Sequence, residues 1–210
     1  MMHLIELLTR ILCDPGPDVQ AGGAYLFGQT ADNQQSVLEA GVSLIRRHRA
    51  HKLLIPSSVP QCGYPGFQAW HQALIALGLD ETDVSGISIS PASSLNTLTE
   101  VEALVRYAKA NRMAQVLVVA PPFHQLRAFI TTVSVVLREF PELRVYNQVG
   151  TALPWDETVY HSQGTLQCTR SELIQSELAR IERYRRKGDL VSEEEVSRYL
   201  RRRDRTCLGT

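Results

Sequence analysis

The sequence predicts an α/β fold in which helices alternate with the strands of a mostly parallel sheet. Its 210 residues are enough for one domain with one sizeable core. Residues 116–120 are a continuous apolar run rich in valine, which is typical of a strand covered on both faces. Pro121 and Pro122 end that strand, and apolar residues at helical spacing follow. This strand and helix are the repeating unit of such a fold.

Strand and helix patterns alternate along the chain up to residue 148. A short amphipathic helix over residues 1–13 precedes them. The predicted strands are residues 24–27, 52–56, 86–90, 116–120 and 143–148. The predicted helices between them are residues 33–48, residues 66–77, one that begins near residue 96, and one with His124 and Arg127 on its first turn. This alternation favours a sheet of about five strands, with right-handed crossovers and helices on both faces.

The alternation stops after residue 150. Residues 151–168 are predicted to form a polar loop, longer than most connections, that covers the core of residues 24–148 as a lid. Extra C-terminal helices over residues 169–205 follow, and capping boxes at residues 169–172 and 192–195 mark where two of them begin. We interpret residues 1–210 as a single domain. The last helix ends in Arg201, Arg202, Arg203 and Arg205, which fit a solvated helix end. An RNA-binding or partner-docking tail is the less favoured alternative, because no aromatic residues alternate with the arginines.

Composition narrows the class of protein. Lys plus Arg and Asp plus Glu both number 22, and a formal charge of zero argues against nucleic-acid and membrane-surface partners. The four cysteines are scattered singly, which predicts neither a metal site nor a disulfide framework. No window approaches the ~18 apolar residues of a membrane span. The N-terminus lacks the basic lead-in of a secretory signal. We expect a cytoplasmic protein with no metal, and the sequence leaves a homo-oligomer open.

Polar segments follow four of the predicted strands. They begin at Gly28, at Ser57, at Ser94 and at Pro121. In an open α/β sheet the carboxyl ends of the strands share one crevice, so these segments should converge on a small-molecule ligand. The residues that we expect to bind this ligand are Gly28, Asp32, Ser57, Ser58, Asn96, Thr97 and Glu100.

The segment around Asn96 has a structural interpretation as well. Thr97 and Glu100 fit a capping box, which would account for both residues without a ligand. Asn96 is not explained in that way, and the free amides of a helix start attract anions. Both interpretations stay open for Glu100, whereas we expect Asn96 to contact the ligand.

His124 and Arg127 are the predicted catalytic residues. They are three positions apart on a helix, so their side chains project from the same side of its first turn. Histidine can transfer a proton near neutral pH, and arginine can bind a carboxylate or phosphate with two hydrogen bonds. The alternative is a surface histidine and an arginine that packs on a neighbouring helix. The chain has no G-x-x-x-x-G-K-[ST] or G-x-G-x-x-G motif, and its paired serines lack a G-x-S-x-G frame.

The order of these motifs resembles the YdcF-like family. The resemblance rests on Ser57-Ser58 after the second strand, S-x-N-T-x-x-E at residues 94–100 and H-x-x-R-A at residues 124–128. It covers about residues 24–148 and implies a Rossmann-like three-layer sandwich with a ligand crevice. It also implies S-adenosylmethionine as a ligand. Within this resemblance Asn96, Thr97, Glu100, His124 and Arg127 match the family's site residues.

The sequence departs from the family pattern at several turns. Gly28-Gln-Thr stands where a glycine-rich turn is usual, Ser57-Ser58 replaces Ser-Gly, and Pro121-Pro122 replaces small hydroxyl residues. The membrane segment of some family members is not found. We therefore expect a protein that binds S-adenosylmethionine or a similar adenosyl or anionic metabolite. The alternatives are a metal-independent hydrolase or phosphoryl-handling enzyme that uses His124 and Arg127, and a non-catalytic ligand sensor or partner-docking protein.

Overall fold

A five-stranded sheet in which every strand runs parallel forms the centre of the molecule. The computed structural model describes residues 2–90, 94–161 and 165–207. The strands are β1 (Gly23–Leu26), β2 (Leu53–Ser57), β3 (Val84–Ser88), β4 (Gln115–Ala120) and β5 (Arg144–Val149). Their order across the sheet is β3-β2-β1-β4-β5. All six residues of β4 are buried between β1 and β5, as the apolar run predicts.

Seven α-helices in the described residues surround this sheet and give the three layers of a Rossmann-like sandwich. They are α1 (Met2–Leu12), α2 (Gln34–Arg46), α3 (Phe67–Ala76), α4 (Thr97–Ala110), α5 (Pro122–Glu139), α6 (Arg170–Arg186) and α7 (Glu193–Cys207). A short 3-10 helix, Glu81–Asp83, precedes β3. Helices α2 and α3 pack together, and α5 packs against α1, α4, α6 and α7. No helix in the described part of the chain is long and apolar enough to cross a membrane.

Helix α5 is buried on almost all sides. Every residue from 123 to 136 is buried, including the polar side chains of Thr131, Thr132 and Ser134. Each of these hydroxyl groups donates to the carbonyl four residues earlier, so none is left without a partner inside the protein. The apolar stripe predicted from the sequence is therefore only part of the buried surface, because four other helices cover the rest of α5.

The predicted strands are confirmed, each within two residues of its expected bounds. The largest difference is in β3, which begins at Val84 because Val84 already pairs with Leu53 of β2. The strand was expected to run to residue 90 but ends at Ser88.

The segment expected to be an irregular lid loop contains an antiparallel hairpin, so the loop prediction was wrong there. Strands β6 (Thr158–His161) and β7 (Leu166–Thr169) pair with each other, and residues 162–164 of the predicted loop lie outside the described residues. Val159 and His161 are buried while Thr158 and Tyr160 are exposed. Such alternation is the signal of a half-buried strand.

Candidate functional site

A cleft of about 270 Å³ lies at the carboxyl ends of β1 and β4. The chain runs outward from β1 through β2 to β3 and then crosses to β4 on the other side of β1, so the cleft lies at the switch point of the sheet. Six of the predicted site residues line it: Gly28, Asn96, Thr97, Glu100, His124 and Arg127. The structure therefore brings six of the nine predicted residues together in one cleft.

The other three predicted residues lie outside this cleft. Ser57 is the exposed last residue of β2, and the Ser58 hydroxyl donates to the carbonyl of Val59 at 3.0 Å. Asp32 accepts a hydrogen bond of 2.7 Å from the backbone amide of Tyr160. Asp32 thus holds the β6–β7 hairpin against the loop after β1 rather than contacting a ligand in the cleft.

Asn96, not Thr97, caps helix α4. Its Oδ1 accepts from the amides of Leu98 at 3.0 Å and Thr99 at 3.2 Å, while the Thr99 hydroxyl accepts from the Asn96 amide at 3.1 Å. The predicted capping box of Thr97 and Glu100 was wrong because Thr97 is already the first helical residue. The boxes that begin at Thr169 and Ser192 are confirmed by their hydrogen bonds.

Glu100 is a buried carboxyl group beneath the cleft. The residue is only 3% exposed. Its Oε2 accepts hydrogen bonds from the amide of Gly28 at 2.8 Å and from the hydroxyl of Tyr25 at 3.0 Å. Burial raises the pKa of Glu100 to about 8, although these two hydrogen bonds and the charge of Arg127 act in the opposite direction. Glu100 is therefore mostly uncharged at pH 7.

The turn between β4 and α5 is fixed by Gln125. Its Oε1 accepts from the amide of Ala120 at 2.7 Å, and its Nε2 donates to the carbonyl of Val118 and to Asn147 Oδ1. Because both ends of this buried amide are bonded, the first turn of α5 has one position relative to β4. That position places His124 and Arg127 at the cleft.

His124 is buried and uncharged. Its Nε2 lies 3.2 Å from the Thr97 hydroxyl and its Nδ1 lies 3.4 Å from Nε2 of Gln29. Burial, and after it the positive charge of Arg127, lowers the pKa of His124 well below its ordinary value. The imidazole is therefore neutral throughout the pH range near 7.

Arg127 is paired with a carboxylate of the protein. Its Nε and Nη2 donate to the two carboxylate oxygens of Glu177 on α6, at 2.5 and 3.3 Å, and its Nη1 donates to the Thr97 hydroxyl at 2.8 Å. Burial by itself raises the pKa of Glu177, but the charge of Arg127 and the surrounding hydrogen bonds hold that pKa well below its ordinary value. The two-pronged contact that was expected for a ligand is thus made to Glu177.

Helix α6 and the hairpin supply the outer wall of the cleft. The sequence predicted that residues 151–168 would cover the core, but it did not predict the contribution of α6. Glu177 also accepts from Arg180 Nη1 at 2.9 Å and lies 3.3 Å from Nε2 of His161. Arg183 donates to the hydroxyl of Tyr184 at 2.9 Å. Helical spacing places these α6 residues on one side, but nothing local in the sequence indicates that this side faces the switch point.

The cleft carries more positive than negative charge. Three guanidinium groups line it, those of Arg127, Arg180 and Arg183. Glu177 is the carboxylate that contacts the first two, and within the described ranges no carboxylate lies within 4 Å of Arg183. Because Glu100 is mostly uncharged at pH 7, the excess favours an anion in the cleft.

Neither the described residues nor the comparisons with known proteins identify a metal site or a family. The described residues contain no group of three or more His, Cys, Asp or Glu side chains that could hold a metal ion. Comparisons of the chain with protein-family models, with curated proteins and with solved structures each found no match.

Proposed function

We propose that the protein binds a small anionic metabolite in the cleft at the carboxyl ends of β1 and β4. The observation that carries this proposal is the excess of guanidinium groups over ionised carboxylates in the cleft walls. Arg183 is central, because its charge lies at the cleft and its guanidinium donates to the uncharged hydroxyl of Tyr184. Water-exposed charge of this kind attracts and orients anions.

An adenosyl compound is the ligand class that the YdcF-like resemblance implies. Tyr184 supports this class, since its partly buried aromatic ring lines the cleft and offers a purine ring an apolar contact. Among adenosyl compounds, the charge of the cleft favours nucleotides over S-adenosylmethionine, because the latter carries a sulfonium and an ammonium group. S-adenosylmethionine remains the family ligand to be compared directly.

The contacts of His124 and Arg127 favour ligand binding without catalysis over a hydrolase that uses these two residues. Arg127 makes its paired contact to Glu177, and both ring nitrogens of His124 lie within 3.5 Å of protein side chains. A metal-independent phosphoryl-handling enzyme is the competing proposal. Incubation with AMP and ATP followed by chromatography separates the two, because only the enzyme forms a product.

The proposed function is tested by calorimetric titration with AMP, ATP, S-adenosylhomocysteine and S-adenosylmethionine. We expect AMP and ATP to bind more tightly than S-adenosylmethionine. Arg183→Gln should weaken nucleotide binding by about 10- to 100-fold, the usual effect of losing one charged hydrogen bond.

Arg186→Gln is the matched control. Arg186 lies on the same helix with its side chain 77% exposed and paired with Glu182. Its replacement changes the net charge equally but leaves the cleft intact, so nucleotide affinity should stay within about twofold. If none of the four compounds binds, or if both variants behave alike, the charge of the cleft does not select the ligand.

A further inference from the structure

The hydrogen atoms around His124 follow from the orientation of Gln29. Gln29 is only 3% exposed, and its Nε2 donates to the carbonyl of Phe27 at 3.2 Å. The opposite orientation of the amide would place two oxygen atoms 3.2 Å apart and lose this bond. Gln29 therefore presents an N–H group to Nδ1 of His124, which lies 3.4 Å away.

A ring nitrogen that faces an N–H group must itself be without hydrogen. Because the imidazole of His124 is neutral, its single hydrogen is then on Nε2. That N–H points at the Thr97 hydroxyl, 3.2 Å away. The contact at Nε2 is therefore a donation from His124 to Thr97.

The Thr97 hydroxyl thus accepts two hydrogen bonds from the protein. Besides His124, Arg127 Nη1 donates to it at 2.8 Å. A hydroxyl group has two acceptor positions and one donor position, so its own hydrogen requires a further acceptor. No described residue supplies that acceptor, and Thr97 lines the cleft.

We propose that the Thr97 hydroxyl, held by Arg127 and by the Nε2–H of His124, donates a hydrogen bond to a phosphoryl or carboxylate oxygen of the ligand. This inference rests on the proposed function and names a group of the protein that recognises the anion. The bond from a guanidinium polarises the hydroxyl and makes it a stronger donor.

His124 is then a positioning residue rather than a proton-transfer residue. Its only lone pair in the ring plane, at Nδ1, faces the Gln29 amide inside the protein. To act as a base, as the sequence suggested, His124 would need that lone pair at the cleft, and to act as an acid it would need a ring with hydrogen on both nitrogens. The two roles differ in a property of the free protein, because they require different tautomers.

Nitrogen-15 NMR of the imidazole side chains tests the tautomer without any ligand. The chain has six histidines, and the signal lost in His124→Gln identifies the ring. We expect one ring nitrogen with the shift of a protonated atom, coupled to the Hδ2 proton as Nε2 is, and one strongly downfield nitrogen that corresponds to Nδ1. Hydrogen on Nδ1, or on both nitrogens, at pH 7 would overturn the inference.

Calorimetry with AMP as the probe tests the contact itself. Thr97→Val removes the hydroxyl at nearly constant volume and should weaken AMP binding about tenfold or more, whereas Thr97→Ser should bind within about threefold of the wild type. Thr132→Val is the control, because that buried hydroxyl donates to the carbonyl of Ala128 within α5 and does not line the cleft.

The outcomes separate this inference from the proposed function. If Thr97→Val binds AMP like the wild type, or if Thr97→Ser loses binding equally, the hydroxyl does not contact the anion. If the wild type binds neither AMP nor inorganic phosphate, the proposed function fails. The NMR result then still decides in which direction the Thr97 hydroxyl points.

Discussion

Replacing Glu100 by glutamine should change how the stability of the protein depends on pH. Below pH 4.5 this side chain is protonated in both the folded and the unfolded chain. Between pH 4.5 and about 8 the unfolded chain releases the proton while the folded chain keeps it, because the pKa is raised by burial. The wild type therefore loses stability as the pH rises through this window, and the loss is complete above about pH 8.

The magnitude follows from the two pKa values. The difference between 4.5 and about 8, at about 1.4 kcal/mol per pKa unit, corresponds to about 5 kcal/mol. This is comparable with the whole stability of many domains. Glutamine cannot ionise, and its amide oxygen can still accept from Gly28 and Tyr25 as Glu100 Oε2 does. The free energy of unfolding of the Glu100→Gln variant should therefore lack the pH-dependent loss that Glu100 causes in the wild type.

Urea unfolding at pH 5, 7 and 9, followed by circular dichroism, measures the effect. The free energy of unfolding of Glu100→Gln minus that of the wild type should rise by about 4 kcal/mol from pH 5 to pH 9. Glu102→Gln on the same helix is the control, because Glu102 is partly exposed and pairs with Arg138. A difference that stays constant with pH would show that Glu100 is ionised in the folded protein. It would refute the conclusion that burial raises the pKa of Glu100.

Three further substitutions test contacts around the site and the core. Glu177→Gln leaves Arg127 without its buried carboxylate and should lower the free energy of unfolding by about 3–5 kcal/mol in urea titrations; an unchanged midpoint would mean that the pair is not formed. Tyr199→Phe removes a buried hydroxyl that bridges two backbone groups at the start of β5 and should cost about 1–3 kcal/mol, visible as a lower Tm. Asp32→Ala removes the acceptor of the Tyr160 amide, so hydrogen exchange in the β6–β7 hairpin should become faster. Equal exchange rates would show that other contacts hold the hairpin.

The sequence was most informative where the signal is local. The buried run of β4, the prolines after it and the helical spacing of α5 predicted a strand, a turn and a helix within a few residues of their observed bounds. The topology rule for open sheets then predicted a crevice at the carboxyl ends. These predictions hold because periodicity and turn chemistry depend on neighbours in the chain.

The errors at the start of α4 show where local signals become ambiguous. Asn96 and Thr97 are both good caps, and each has a partner three residues later, Thr99 or Glu100. The choice between the two caps depends on whether the carboxyl group of Glu100 forms hydrogen bonds elsewhere in the protein. Glu100 is bonded to Tyr25 and Gly28, which are more than seventy positions away in the chain, so local spacing could not decide it.

The chain by itself determined the α/β class, the parallel sheet and the edge at which His124 and Arg127 lie, because these follow from residue spacing and strand ends. The tertiary structure alone decided what those side chains do. It brings Glu177 of α6 against Arg127, fifty positions earlier, and the hairpin against the loop after β1. Such pairings depend on how distant helices pack, so burial and the partner, rather than the residue type, set the charge of the cleft.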